Sequence, residues 1–307
     1  MAHFLKRLVE LKTNSFKTHP DGGFLHERTI LATTFILATL AGGFGDVWAQ
    51  TNLSPTTESS TVKATSKISG TAQAGKNMQN MLYPQTQLSL TYNYNQKLGA
   101  NITSQQNEFA LNAIIPIPIG DDLQLLLNPI LTFNQNLNSS QAPEQWQPVQ
   151  LATFFAPQYS GDFYAGIGPY FQAPAAKAAY GSKQTGLGLS AGAFYTPSSW
   201  VVGVTMYNSW GIGNDLSGGS ANILNIQPLI SYTTNNSWSY NLAAQYQYGY
   251  TASSTSNQLT LSAGKTVKIG GLHWQFQIGP TYMVTTSPSS AKGWGAYFNL
   301  TTALPIR

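Results

Sequence analysis

The sequence predicts an all-β fold: a transmembrane antiparallel β-barrel of about twelve strands behind an N-terminal signal peptide. Three observations predict it. In residues 238–250, WSYNLAAQYQYGY, the even positions hold Trp, Tyr, Leu, Ala, Tyr, Tyr and Tyr, and the odd ones Ser, Asn, Ala, Gln, Gln and Gly. That period of two gives a strand one apolar and one polar face, as lipid on one side and a lumen on the other require. Only 8% of the 307 residues are charged, against roughly 25% in soluble domains. The breaks between alternating stretches are short and long by turns, which is the asymmetry between the two ends of such barrels.

Taken in order, the chain begins with an apolar run, 29–45, TILATTFILATLAGGFG, preceded by Lys6, Arg7, Lys12, Lys17 and Arg28 and followed by Val47-Trp48-Ala49. This reads as a signal peptide, 1–49, with an extended basic lead and cleavage after Ala49. A retained anchor is the competing reading, and a run of about 17 apolar residues is at the short limit for a spanning helix. Residues 50–82 form a flexible periplasmic segment. Its first part is rich in Ser and Thr, and 71–82, TAQAGKNMQNML, has the makings of a short helix. That helix either plugs the barrel mouth or leads into the first strand. The barrel itself occupies 83–307.

Strands are expected at 85–96, 105–119, 122–134, 147–157, 162–172, 185–195, 199–211, 222–233, 237–250, 257–269, 271–285 and 292–305. Apolar positions share one face in most of them, as with Leu88, Leu90, Tyr92 and Tyr94, or Leu272, Trp274, Phe276, Ile278, Pro280, Tyr282 and Val284. With a periplasmic N-terminus, the short connections Gly120-Asp121, 158–161, 196–199, 234–236 and Gly270-Gly271 are periplasmic turns. The longer ones, near 135–146, 173–184, 212–221, 251–256 and 286–291, are outer loops. A soluble sandwich or solenoid also alternates, but strands of 11–15 residues exceed the usual length of about 5–6, and aromatics gather near strand ends. Pro116, Pro118, Pro129, Pro169, Pro228 and Pro280 fall inside strands. Proline removes a ladder donor and favours edges or bulges, so some of these are expected to mark bulges.

Chemistry is sparse. The chain has no Cys, which excludes thiolate catalysis, thiolate metal sites and disulfides. Basic residues are scattered, so no nucleic-acid surface is expected. One His follows residue 49, His273, on the polar register beside Gln275 and Gln277. It serves either as a polar lumen residue or as a general base for lipid hydrolysis. One His with scattered carboxylates makes no metal site, and no cofactor is expected. Asp121 and Asp122 read as turn residues, and Glu108 and Lys97 lie near the first hairpin. Lys265 shares the apolar register but is close enough to a turn to snorkel. Tyr246, Tyr248 and Tyr250 read as an interfacial belt.

The polar register supplies the candidate lumen lining: Asn93, Tyr164, Tyr170, Tyr207, Asn241, Gln245, Gln247, His273, Gln275, Gln277, Tyr297 and Asn299. A neutral lining of this kind carries no charge preference.

The stretches ALNAIIPIPIGDDLQLLLNPI (110–130), YAGIGPYFQAP (164–174), LGLSAGAFYTPSSWVVGVTMYNSWGIGND (187–215), LNIQPLISYTTNNSWSYN (224–241) and LSAGKTVKIGG (261–271) resemble outer-membrane barrels related to the phenol-degradation meta-pathway transporter-like family. The resemblance runs over about 200 residues, from 108 onward. It implies a Gram-negative, porin-like barrel in the cell outer membrane. Such a barrel takes up small, neutral, hydrophobic or aromatic solutes and has no catalytic residues. The alternatives are a barrel enzyme acting on lipid, or a structural barrel without transport. The implied partners are outer-membrane lipid, the barrel-assembly machinery and a small-molecule solute. The residues carried over are structural: Gly166, Gly168, Pro169, Trp200, Trp210, Gln227, Pro228, Gly264 and Lys265. The chain departs from the pattern at Leu304-Pro305-Ile306-Arg307, where an aromatic final residue is the usual mark for assembly.

Overall fold

The computed structural model describes residues 69–98, 104–137, 144–158, 161–177, 181–214, 219–251, 253–285 and 292–304. The expected signal peptide and residues 50–68 lie outside the described residues. A helix, α1 (Gly70–Asn77), precedes thirteen strands: β1 (Gln87–Leu98), β2 (Ser104–Ile119), β3 (Leu123–Leu137), β4 (Glu144–Trp146), β5 (Gln150–Pro157), β6 (Phe163–Gln172), β7 (Thr185–Tyr195), β8 (Trp200–Ile212), β9 (Ile223–Thr233), β10 (Trp238–Gly249), β11 (Ser254–Ile269), β12 (Leu272–Thr285) and β13 (Gly293–Ala303). All but β4 form one antiparallel ring. β1 pairs with β2 on one side and with β13 on the other, which closes it. Closure matters because lipid offers no partner to an open edge. Among the described residues no helix is long and apolar enough to cross a membrane.

The alternation seen in the sequence sets the two surfaces. Leu187, Leu189, Leu242, Leu259, Leu261, Ile278 and Val284 are exposed on the outside, while their strand neighbours Ser190, Asn241, Ser262 and Gln277 are buried within. Aromatic pairs flank the apolar band. Trp200 and Tyr232 stand 4.8 Å apart near the short turns, and Tyr282 and Trp294 stand 5.0 Å apart near the loops. Tyr246 is on the same outer face. Lys265 reaches the turn, where Nζ donates to the Asn236 carbonyl and lies 5.4 Å from the centre of the Trp238 ring.

The twelve barrel strands fall where the alternation places them. β4 is an addition. Its three residues pair with the end of β3 inside what the sequence presents as an outer loop. Trp146 packs on Phe133 at 5.2 Å and Gln135 donates to Glu144 at 3.3 Å.

The prolines in the strands correct the expectation of bulges. At Pro129, Pro169, Pro228 and Pro280 the ladder skips two pairs on one side and resumes in unchanged register. Nothing is inserted, and only the hydrogen bonds that proline cannot donate are missing. On the other side each proline stays in register, opposite Leu151, Leu189, Val204 and Ala296. Two of the carbonyls left without a ladder donor are satisfied by side chains. Asn128 Nδ2 donates to Ala113 O at 2.8 Å, across from Pro129, and Ser190 Oγ donates to Thr153 O, across from Pro169.

Candidate functional site

The barrel interior holds a cavity of about 610 Å³. Its wall follows from the pleat, because residues i, i+2 and i+4 of each strand face inward. Asn241, Gln245 and Gln247 come from β10, Asn93 from β1, and Tyr297 and Asn299 from β13. Hydrogen bonds tie these side chains across strands. Asn299 Nδ2 donates to Thr91 Oγ1 at 2.9 Å, Asn241 Nδ2 to Ser262 Oγ at 3.2 Å, and Tyr297 Oη to Gln277 Oε1 at 3.3 Å. Such links hold polar groups in fixed orientations around the space.

The floor of the cavity is built from the chain that precedes β1. Ser69 caps α1 by accepting from Ala72 N at 3.2 Å, and the helix lies against β9, β10, β11 and β12. Lys76 Nζ donates to Thr196 O at 2.6 Å, and Ser69 Oγ to Asn235 O at 3.3 Å, both in short turns. The helix is therefore at the short-turn end, the periplasmic end of barrels of this kind. Burial holds the Lys76 amine below its ordinary pKa, with Asp162 pulling it back up.

Gln275 is fully buried beneath α1. Its amide donates to Gly75 O at 3.3 Å and to Thr266 Oγ1 at 3.1 Å, while its oxygen accepts from Gln79. Gly75 has to be glycine here, because a methyl group would collide with the Thr266 hydroxyl.

Past the helix the chain crosses to the opposite wall. Leu82, with no exposed surface, joins Leu126, Phe154, Tyr164, Phe194, Val201 and Tyr207 in an apolar cluster. Tyr83 packs on Tyr164 at 5.9 Å and Tyr207 Oη donates to Met81 Sδ at 3.8 Å. Residues 69–85 thus span the short-turn end of the lumen, with polar contacts on one wall and apolar contacts on the other.

The twelve candidate residues divide accordingly. Asn93, Tyr170, Tyr207, Asn241, Gln245, Gln247, Gln277, Tyr297 and Asn299 line the cavity. Gln275 faces inward but is covered by α1, and Tyr164 belongs to the apolar cluster. His273 is half-buried beside the Gly270-Gly271 turn. Its cross-strand neighbours are Lys268 and Ala303, and its backbone carbonyl accepts from Thr302 Oγ1 at 3.2 Å.

Two features of the interior were not in the sequence reading. One is the apolar cluster on the β3 to β8 wall. The other is Glu108, placed near a hairpin by that reading but in fact a cavity residue that accepts from Asn93 Nδ2 at 2.9 Å. The alternation of Phe109, Leu111, Ala113 and Ile115 already contained the second. If those face out, Glu108 faces in. Among the described residues no group of three or more metal-ligating side chains occurs.

No protein-family model matches the chain, and no curated protein matches it by sequence. Solved structures do match. An outer-membrane channel from Pseudomonas putida F1 superposes with a TM-score of 0.55 at 14% identity, over 72% of this chain and 96% of the other. The NanC porin gives 0.44 at 10% identity, over 71% and 100% of the two chains. Outer membrane phospholipase A from Escherichia coli gives 0.38 at 14%, over 75% and 98%. The first likeness is one of fold. The chain has the fold of an outer-membrane β-barrel, and its apolar exterior is the surface such a fold sets in the outer membrane.

Proposed function

We propose that the protein is a non-enzymatic outer-membrane channel for small solutes, with residues 69–85 as its periplasmic floor. The observation that carries this reading is the cavity itself. About 610 Å³ of space lies within the range of about 300–1,000 Å³ that encloses a single small organic molecule. It is bounded below by a segment that meets the barrel wall through hydrogen bonds and apolar packing alone. Neutral amides and hydroxyls line most of it. Near the floor, Tyr170 and Tyr207, with ring centres 5.6 Å apart, offer an apolar face. That mixture suits a small solute with an aromatic or hydrophobic body, in line with the resemblance to the phenol-degradation transporter-like barrels. The Pseudomonas neighbour of like fold is itself a channel.

The test is single-channel conductance in a planar bilayer, with and without residues 50–82. Discrete openings that enlarge on truncation support a channel with a removable floor. Silence in both forms sinks the reading.

A further inference from the structure

The cavity wall carries an arrangement of acceptors that a lining without charge preference would not need. In register across three neighbouring strands stand Asn93 of β1, Glu108 of β2 and Asn134 of β3. Adjacent strands are about 4.8 Å apart, so the three side chains form one row on the lumen face. All three border the cavity.

The amide of Asn93 has its orientation fixed, because its nitrogen donates to the Glu108 carboxylate at 2.9 Å. Its oxygen is therefore the atom left over, and that oxygen is buried without a partner. The Asn134 oxygen is buried without a partner too. Both side chains are more than nine-tenths buried. The amide oxygens of Asn112, Asn225 and Asn241 on the same cavity wall are likewise without a partner, and what sets Asn93 and Asn134 apart is that they flank a carboxylate in one row. Among the described residues that line the cavity, Glu108 is also the only charged one.

We propose that this row is a binding site for the primary ammonium group of a small cationic solute. An ammonium has three N–H donors and no acceptor. Two orphaned amide oxygens and one carboxylate are the complement it requires. An anion entering the same place meets acceptors and a negative charge. The site makes the lumen selective for cations, through a residue whose neighbours are otherwise neutral.

The idea rests on the channel reading for its transport consequence, but the site can be read without transport. With the full mature chain in a planar bilayer, a gradient of ethylammonium chloride is expected to give a reversal potential of cation-selective sign. Glu108→Gln keeps an acceptor for Asn93 and removes the charge. It is expected to bring the ammonium-to-chloride permeability ratio close to one. A wild-type ratio at or below one, or a ratio unmoved in Glu108→Gln, overturns the proposal. A silent wild type sinks the channel reading instead, and the site is then judged by calorimetric titration of the detergent-solubilised protein with ethylammonium chloride. Binding weakened by roughly tenfold or more in Glu108→Gln, the loss expected for a hydrogen bond to a charged group, supports the site. Equal heats in both proteins, or none in either, overturn it.

Discussion

Pro129, Pro169, Pro228 and Pro280 each leave a strand without one N–H, and the neighbouring strand is left with a carbonyl that has no ladder partner. Across from Pro169 that carbonyl belongs to Thr153, and Ser190 Oγ takes the place of the missing donor. Ser190→Ala is expected to destabilise the barrel by about 1–3 kcal/mol, the desolvation cost of an unsatisfied buried group. Denaturant unfolding in lipid checks this. Pro169 and Pro280 each follow a glycine, and the reason is steric. A methyl at Gly279 would collide with the Leu261 carbonyl, and one at Gly168 with the Thr153 carbonyl. Each is the carbonyl facing the following proline, so the Gly-Pro pair is a single adaptation to the lost hydrogen bond. Gly279→Ala is expected to cost about 1–3 kcal/mol through overpacking against backbone. Refolding yield and unfolding midpoint measure it. An Ala variant as stable as the parent would remove this account of the pair.

At the scale of elements, α1 and the residues after it bridge two walls of the barrel. The floor is held by Gln275 and Lys76 on one wall and by Leu82 on the other. Leu82→Asp places a carboxylate in a buried cluster of aliphatic and aromatic side chains that holds no cation, where a charge carries a high cost of burial. The expected result is release of the floor from the β3 to β8 wall, larger single-channel conductance, and an unchanged barrel circular dichroism spectrum. Unchanged conductance would show that this contact does not hold the lumen closed.

The same elements show what the sequence could and could not tell. Barrel strands were legible because lipid demands an apolar residue at every second position. β4 was not, since three residues are too few to display a period. The fate of 71–82 was open for a physical reason. α1 packs against a polar lumen wall, so it needs no apolar stripe to announce itself. The interior cluster was hidden by β5, where Phe154 and Phe155 are neighbours on opposite faces and alternation cannot say which side is the lumen. Glu108 had a readable register, but its place beside Asn93 and Asn134 depends on how β1, β2 and β3 align, which turns and loops decide.

For the whole molecule, the bilayer is the solvent that fixes the outer surface, and it does so by depth. Ile278 lies midway along β12 and is 68% exposed, the largest value among the outward apolar residues. Ile269, 56% exposed, ends β11 beside the Gly270-Gly271 turn. Both are isoleucines facing out, and a soluble protein would treat them alike. A membrane would not. Arginine at the midplane of a barrel costs about 2–4 kcal/mol, and near the interface about 0–1 kcal/mol. Ile278→Arg is therefore expected to lower unfolding free energy in bilayers by several times as much as Ile269→Arg. Near that turn Lys265 already reaches a carbonyl at the interface, so a second long cation there has the same escape. Reversible unfolding from liposomes measures both variants. Equal losses would mean that depth along the barrel axis does not order this surface, and with it would go the assignment of the short turns to one interface.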